Sequence, residues 1–252
     1  MPSYERYSKF YDAVMDDPGP RAERVRSWID RYIPDAQSLL ELGCGTGSML
    51  ARLPSIHSLT GIDRSPAMLD EARRKVPGAR LLEGDMRTFS FDERFDVIIC
   101  VFDSLNHLLD FSEWEATFAR VHGHLVQGGL FVFDVNTIGE LRRLGEDPPW
   151  VYDFSAGVAI VDVSFAEDEQ ANGMSNWDIR IFEQVSGDDF HLHHEEIGEL
   201  GVELSRIRLA LSEHFVTLDE VSETEDEPTD NSVKAHFACR PLAWAAGPPV
   251  SR

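Results

Sequence analysis

Residues 38–47 read Ser-Leu-Leu-Glu-Leu-Gly-Cys-Gly-Thr-Gly. A short apolar run ends in three glycines at alternate positions, a strand followed by a turn in which a ligand can approach the backbone at the strand's carboxyl end. Further strand-like segments follow: SLTGI at 58–62, ARLLE at 79–83, FDVIICV at 95–101 and LFVFDV at 130–135. Helical segments alternate with them. One face of a helix is set by Val25, Trp28, Ile29, Tyr32 and Ile33 over 20–33, a short helix is expected at about 47–53, and Ser65-Pro66 opens a third. Ser112 and Glu115 have capping-box spacing ahead of Phe118, Val121 and Leu125. This alternation predicts right-handed crossovers and a doubly wound, mostly parallel sheet with helices on both faces; VIICV and LFVF suit strands buried on both sides.

After residue 150 the pattern changes to VAIVDVSF at 158–165, WDIRIF at 177–182 and FHLHHEEI at 190–197, which read as an antiparallel insertion. A helix at about 203–213 and strands near 215–222 and 233–239 return the chain to the first sheet, for seven strands in all. The expected organisation is a core of 1–149 and 201–240, an insertion of 150–200 covering the substrate, and a tail of 241–252.

The chain has 252 residues, with 23 Lys and Arg against 45 Asp and Glu, a formal charge of −22. Such a charge repels polyphosphate backbones and anionic lipid faces, so no nucleic-acid or membrane partner is expected. No apolar run is long enough for a membrane span and MPSYERYSKF has no signal-peptide core, which suggests a cytoplasmic protein. Cys44, Cys100 and Cys239 are far apart and odd in number, giving neither a disulfide framework nor a zinc pattern. His191 and His193 share a strand face while His194 points away, too few ligands for a metal. No metal is expected. Trp150, Tyr152 and Trp177 read as the insertion's core, and DEVSETEDEPTD at 219–230 as a solvated connector.

The chemistry lies at the strand ends. A dinucleotide fingerprint needs its third glycine one position later, where this chain has Ser48. Glu41 beside the turn would repel a pyrophosphate but suits a ligand bearing an ammonium and a sulfonium. Asp63, twenty residues after Gly43, ends the second strand where a carboxylate accepts from ribose hydroxyls; Glu83-Gly84-Asp85-Met86 ends the third, where Asp85 can take an adenine amino group.

With these motifs in order, residues 38–137 resemble a class I S-adenosylmethionine-dependent methyltransferase: ELGCGTG, GID, EGDM and QGGLFVFDV stand where its motifs stand. The resemblance implies S-adenosylmethionine as cofactor. It places Glu41, Gly43, Gly45 and Gly47 on the methionine portion, Asp63 on the ribose, Asp85 and Met86 on the adenine, and the backbone near Val101 on the methionine ammonium. Cys44, Arg64, Met68, Gly84 and Phe102 complete the expected cofactor set. Phe102-Asp103-Ser104-Leu105-Asn106-His107-Leu108 is similar to the corresponding loop of small-molecule N-methyltransferases of the glycine and amino-sugar type, although Asp103 stands where the glycine enzyme has asparagine. Tyr4, Tyr7 and Tyr11 resemble the entry segment of that group; beyond residue 150 the likeness is architectural only. The implied reaction is in-line methyl transfer to a small acceptor, an amine favoured over a hydroxyl, with a homodimer left open. An amine must be unprotonated to attack, so Asp103 and His107 are the candidate proton acceptors, and Tyr11 and Phe102 the candidate neighbours of the sulfonium. The alternatives are O-methylation of a small metabolite, cofactor binding without turnover, and nicotinamide chemistry, which Glu41 and the glycine spacing disfavour.

Overall fold

The computed structural model describes residues 8–243 apart from 16, 54, 168–171, 224 and 226. Tyr4, Tyr7 and most of the expected tail therefore lie outside the described residues. The chain opens with α1 (Ser8–Val14) and α2 (Gly19–Tyr32), then β1 (Ser38–Leu42), β2 (Ser58–Asp63), α3 (Pro66–Lys75), β3 (Arg80–Glu83) and β4 (Phe95–Cys100). After a 3-10 turn over Ser104–His107 come α4 (Phe111–His124), β5 (Leu125–Asn136) and α5 (Ile138–Glu146). Strands β6 (Trp150–Phe154), β7 (Gly157–Glu167), β8 (Gly173–Ser186) and β9 (Asp189–Gly201) follow, then α6 (Leu204–Ser212), β10 (Phe215–Ser222) and β11 (Lys234–Pro241).

Seven strands form one sheet in the order β10-β11-β5-β4-β1-β2-β3. Strands β1 to β5 pair in parallel, and β11 is antiparallel to both β5 and β10. Because successive strand residues face opposite ways, neighbouring leucines of β1 serve different cores. Leu40 packs with Ile98, Phe131, Phe133, Trp114 and Phe118 on the α4 side. Leu39 packs with Val97, Ile99, Trp28 and Ile29 on the α2 side. Both faces are covered, which explains the continuous apolar runs.

The remaining strands form a separate antiparallel sheet, β6-β7-β8-β9. Its inner face (Val161, Val163, Ile179, Ile181 and Ile197) packs on Phe10 of α1 and on Leu141 and Leu144 of α5. Trp150 and Trp177 pack against the same cluster, whereas Tyr152 is exposed.

Several local expectations need correcting. The helix expected at 47–53 is only a 3-10 turn over Leu50–Arg52, and among the described residues no helix separates β3 from β4. Ser112 does not cap α4; Asp110 does, its Oδ1 accepting from Ser112 N at 2.9 Å. The insertion has four strands where three were read. Helix α5, absent from the sequence reading, is capped by Thr137, whose Oγ1 accepts from Glu140 N at 3.1 Å. The acidic stretch 219–230 is more than a solvated connector. Asp219 accepts from the Tyr32 hydroxyl at 2.7 Å, Glu220 pairs with Arg208, and Asp230 Oδ1 accepts from Leu204 N at 2.7 Å. Among the described residues no helix is long and apolar enough to cross a membrane.

Candidate active site

A cavity of about 590 Å³ opens at the carboxyl ends of β1, β2, β3 and β4. Glu41 forms its floor, and Gly43, Cys44 and Gly45 of the glycine turn form one wall. Asp63, Arg64 and Met68 line it after β2, Gly84, Asp85 and Met86 after β3, and Phe102 and His107 after β4. Tyr11 closes it from α1. Three of the residues read for the site lie elsewhere. Gly47 is buried against α3, Val101 is buried in the core with its carbonyl accepting from Ser104 Oγ at 2.7 Å, and Asp103 is turned to an ion pair with Lys234.

The carboxylates differ sharply in their surroundings. Glu41 is 2% exposed and its Oε2 has no hydrogen-bond partner. Burial, and secondly the charge of Asp63, push its pKa well above the usual carboxylate range. The Leu50 backbone bonds this carboxyl, but the unpartnered buried Oε2 is a costly arrangement that a bound cation would relieve. Asp63 braces the glycine turn: Oδ2 accepts from Gly45 N and Oδ1 from Ser65 N, both at 2.8 Å. The Arg64 backbone N–H bonds it as well, so of a carboxylate's roughly four acceptor positions about one remains for a ligand. Asp85 is gripped by Arg87, whose Nε lies 2.8 Å from Oδ1 and Nη2 2.5 Å from Oδ2; these hydrogen bonds hold its pKa low and keep it ionised.

The turn after β4 is strained. Phe102 (φ 60°) and Asp103 (φ 55°) are consecutive non-glycine residues in the left-handed region, a conformation costing about 1–3 kcal/mol each. Its supports are Asp103 N donating to Asp134 Oδ1 at 2.8 Å and Asn106 N donating to Asp103 O at 2.8 Å. The guanidinium carbon of Arg21 sits 4.1 Å from the centre of the Phe102 ring, so one face of that ring is already taken. Burial works against ionisation of Asp103, but Lys234 and Arg21 outweigh it and its pKa falls. Asp103 is therefore a poor proton acceptor. His107 differs: burial depresses its pKa, leaving the ring neutral, and Nδ1 lies 3.4 Å from the Gly198 carbonyl.

Sequence reading missed a polar clamp on the cavity wall, Asp12, Thr46, Ser48 and Lys75. It also missed the buried pair Asn136 and Glu199 behind His107. The clamp's lysine lies 63 residues from Asp12 and carries no local signal. Among the described residues, one group, Asp178, His194 and Glu196, brings metal-type ligand atoms together, but it is partly exposed and Arg180 already bonds Asp178.

The Methyltransferase domain family matches residues 39–129. A Streptomyces fradiae dTDP-3-amino-3,6-dideoxy-alpha-D-glucopyranose N,N-dimethyltransferase is 36% identical over 132 residues, covering 50% of this chain and 52% of that protein. The chain thus spans about half the length of the amino-sugar relatives it matches. In structure, an S-adenosylmethionine-dependent methyltransferase from Clostridium acetobutylicum superposes with TM-score 0.81 at 23% identity, over 94% of this chain and 98% of that one. An amino pentose methyltransferase of calicheamicin biosynthesis from Micromonospora echinaspora, solved with S-adenosylmethionine bound, gives 0.75 at 22% identity over 94% and 96%. Residues 39–129 match a methyltransferase domain family, and the seven-stranded sheet that carries them has the class I methyltransferase fold.

Proposed function

We propose that the protein transfers a methyl group from S-adenosylmethionine to the amine nitrogen of a small acceptor, with His107 receiving the proton. The observation that carries this is the orphaned, buried Glu41 Oε2 on the floor of a cavity whose other walls present Asp63, Asp85 and His107. A buried carboxyl with Asp63 and Asp85 on the neighbouring walls fits a ligand with a cationic amino-acid end and a ribose, and Glu41 disfavours a pyrophosphate beside the glycine turn. The residues present fit the cofactor: Glu41 would face the methionine ammonium, Asp63 the ribose hydroxyls, and Asp85 with Met86 the adenine. When bound, S-adenosylmethionine supplies a methyl carbon already activated by positive sulfur.

The chain's own residues do the remaining work. Asp63, fixed by the backbone N–H groups of Gly45, Arg64 and Ser65, holds its remaining acceptor position in place before any ligand arrives. Tyr11 and Phe102 narrow the cavity and exclude water. A carbonyl can only accept, so the contact between Gly198 O and His107 places the hydrogen on Nδ1. The basic nitrogen is then Nε2, and burial keeps it unprotonated near neutral pH. It takes the proton that the amine gives up. The relatives' names specify amino nitrogens as acceptors, which supports an amine here. The charge of −22 supports a small acceptor over a nucleic acid. Three buried free cysteines suit the reducing cytoplasm.

Calorimetry with S-adenosylhomocysteine and with NAD, followed by an acceptor screen read by adenosylhomocysteine release, tests the reading. Adenosylhomocysteine should bind, primary or secondary amines should turn over, and His107→Asn should lower kcat about 100-fold with cofactor affinity retained. Binding of NAD without adenosylhomocysteine overturns the assignment.

A further inference from the structure

Three consecutive residues of β9 each hold a different residue of the core. Gly198 O is 3.4 Å from His107 Nδ1, Glu199 Oε2 accepts from Asn136 Nδ2 at 2.9 Å, and Leu200 O accepts from Asn106 Nδ2 at 2.9 Å. The two asparagines are themselves locked together: Asn106 Nδ2 donates to Asn136 O and Asn136 N donates to Asn106 Oδ1, both at 3.0 Å. Behind them Lys234 Nζ donates to Asn136 Oδ1 at 2.5 Å and pairs with Asp103. An ammonium has donors only, so the Asn136 amide turns its oxygen to Lys234 and its NH₂ to Glu199. Glu199 is 4% exposed and Asn106 fully buried.

We propose that Glu199 is a positioning residue for methyl transfer, seating residues 198–200 through Asn136 so that the Gly198 carbonyl fixes His107 in the tautomer whose Nε2 can accept a proton. The proposal rests on the role given to His107 above. At 3.4 Å the carbonyl contact is at the outer limit of a hydrogen bond, so a shift of a few tenths of an ångström in β9 releases it. The released ring can place its hydrogen on Nε2, where it accepts nothing.

The charges around Glu199 say how the seat behaves. Asp103 from the turn and Lys234 from β11 act on it, and Asn136 from β5 and the Trp177 indole from β8 hydrogen-bond it. Burial, then the Asp103 charge, push the carboxyl up to about 8, so the seat is an uncharged acid at neutral pH. Glutamine reproduces that form, with a carbonyl to accept from Asn136. Ionisation at higher pH instead sets a second anion near Asp103 and loosens the seat.

Imidazole ¹⁵N shifts of His107 in the full chain, assigned by difference from His107→Asn, test this without any acceptor. At about pH 7 the wild type and Glu199→Gln should show Nδ1–H alone, while Glu199→Ala shows both tautomers. With an acceptor, Glu199→Ala should lose about tenfold in kcat with adenosylhomocysteine affinity held within about twofold, and Glu199→Gln should recover most of the rate. Should the alanine variant not fold, the wild type must still lose its single tautomer on titration through the range about one unit either side of the Glu199 value, and Glu199→Gln must not. A wild type carrying Nε2–H, an alanine variant retaining pure Nδ1–H, or identical alkaline titrations of wild type and Glu199→Gln overturns the proposal. An unaltered kcat in His107→Asn removes the role of His107 instead, and the tautomer measurement still decides whether Glu199 seats the strand.

Discussion

Lys75, the last residue of α3, donates from Nζ to Asp12 Oδ2 of α1 at 2.5 Å. The same ammonium donates to Thr46 Oγ1 at 2.9 Å and to Ser48 Oγ at 2.6 Å, and both hydroxyls return to Asp12 Oδ1, at 2.7 and 2.9 Å. Helix α1 is thereby fastened across the glycine turn, with Tyr11 beside the clamp on the cavity wall. The ion pair is partly exposed, so its direct contribution to stability is small, about 0–1 kcal/mol. Its consequence is local: it closes one side of the cofactor cavity.

Lys75→Ala and Asp12→Asn should therefore weaken adenosylhomocysteine binding about 3- to 10-fold, mostly through faster dissociation, with little change in Tm. Stopped-flow release at low and high salt checks this. The wild-type rate should rise with salt toward that of the variants, because screening acts on a half-exposed pair. Burial opposes ionisation of Asp12, but the hydrogen bonds from Lys75, Thr46 and Ser48 outweigh it and lower its pKa. The clamp is thus intact above the ordinary aspartate value and is lost as pH falls through the lower native one.

His107 gives a pH signature of its own. Its pKa is depressed, chiefly by burial and against the pull of Asp103, so the native ring resists protonation. An unfolded histidine takes a proton near about 6.5, hence the stability linked to His107 is present above that pH and is lost as pH falls. Turnover at saturating acceptor should persist below the ordinary histidine value before an acid limb appears, and His107→Asn should erase that limb. A limb at the same pH in both proteins would assign it to the acceptor amine.

Asp63→Ala removes two things at once, a ligand acceptor and the brace between Gly45 N and Ser65 N. Loss of charge-assisted hydrogen bonds should weaken adenosylhomocysteine by about 1–3 kcal/mol. Asp63→Asn keeps one acceptor oxygen for the turn and should lose less. Calorimetry on both variants, with circular dichroism to show they are folded, separates the two contributions; equal affinity across all three proteins would place the ribose elsewhere.

What the sequence made legible was whatever is written locally. The run at 38–42 and its glycine turn, the acid ending β2, and the Ser65 cap of α3 each depend on neighbours a few residues away, and each stands where the pattern put it. Competing local signals misled at α4, where Asp110, two residues before Ser112, takes the Ser112 N–H as the cap. Helix α5 was missed because its cap, Thr137, follows the last residue of β5 with no intervening turn. The second tier of the site was illegible for a different reason. Asn136 meets Lys234 across 98 positions and Glu199 across 63, and nothing in their spacing marks them. Asp103, favoured as a base from its place after β4, meets a lysine 131 residues away that lowers its pKa.

Two glycines of the same turn should fail in opposite ways when replaced by alanine. Both have positive φ, +50° at Gly45 and +74° at Gly47, so either substitution carries some backbone strain. A Cβ on Gly47 would lie 3.1 Å from Val76 Cγ2 and 3.2 Å from Ala72 Cβ, against the helix that follows β2, so the added methyl has to push packed atoms aside. A Cβ on Gly45 would meet nothing within 4 Å, because that position faces the cavity. Gly47→Ala should therefore lower stability by about 2–4 kcal/mol, strain plus overpacking, while folded molecules keep most of their cofactor affinity. Gly45→Ala should cost only the strain, about 1–2 kcal/mol, and lose about tenfold or more in adenosylhomocysteine binding, since its methyl occupies space the ligand uses. Urea unfolding and calorimetry on the two variants read these losses separately. The same ratio of stability loss to affinity loss in both would mean that the turn acts as one unit and that Gly45 does not face the ligand.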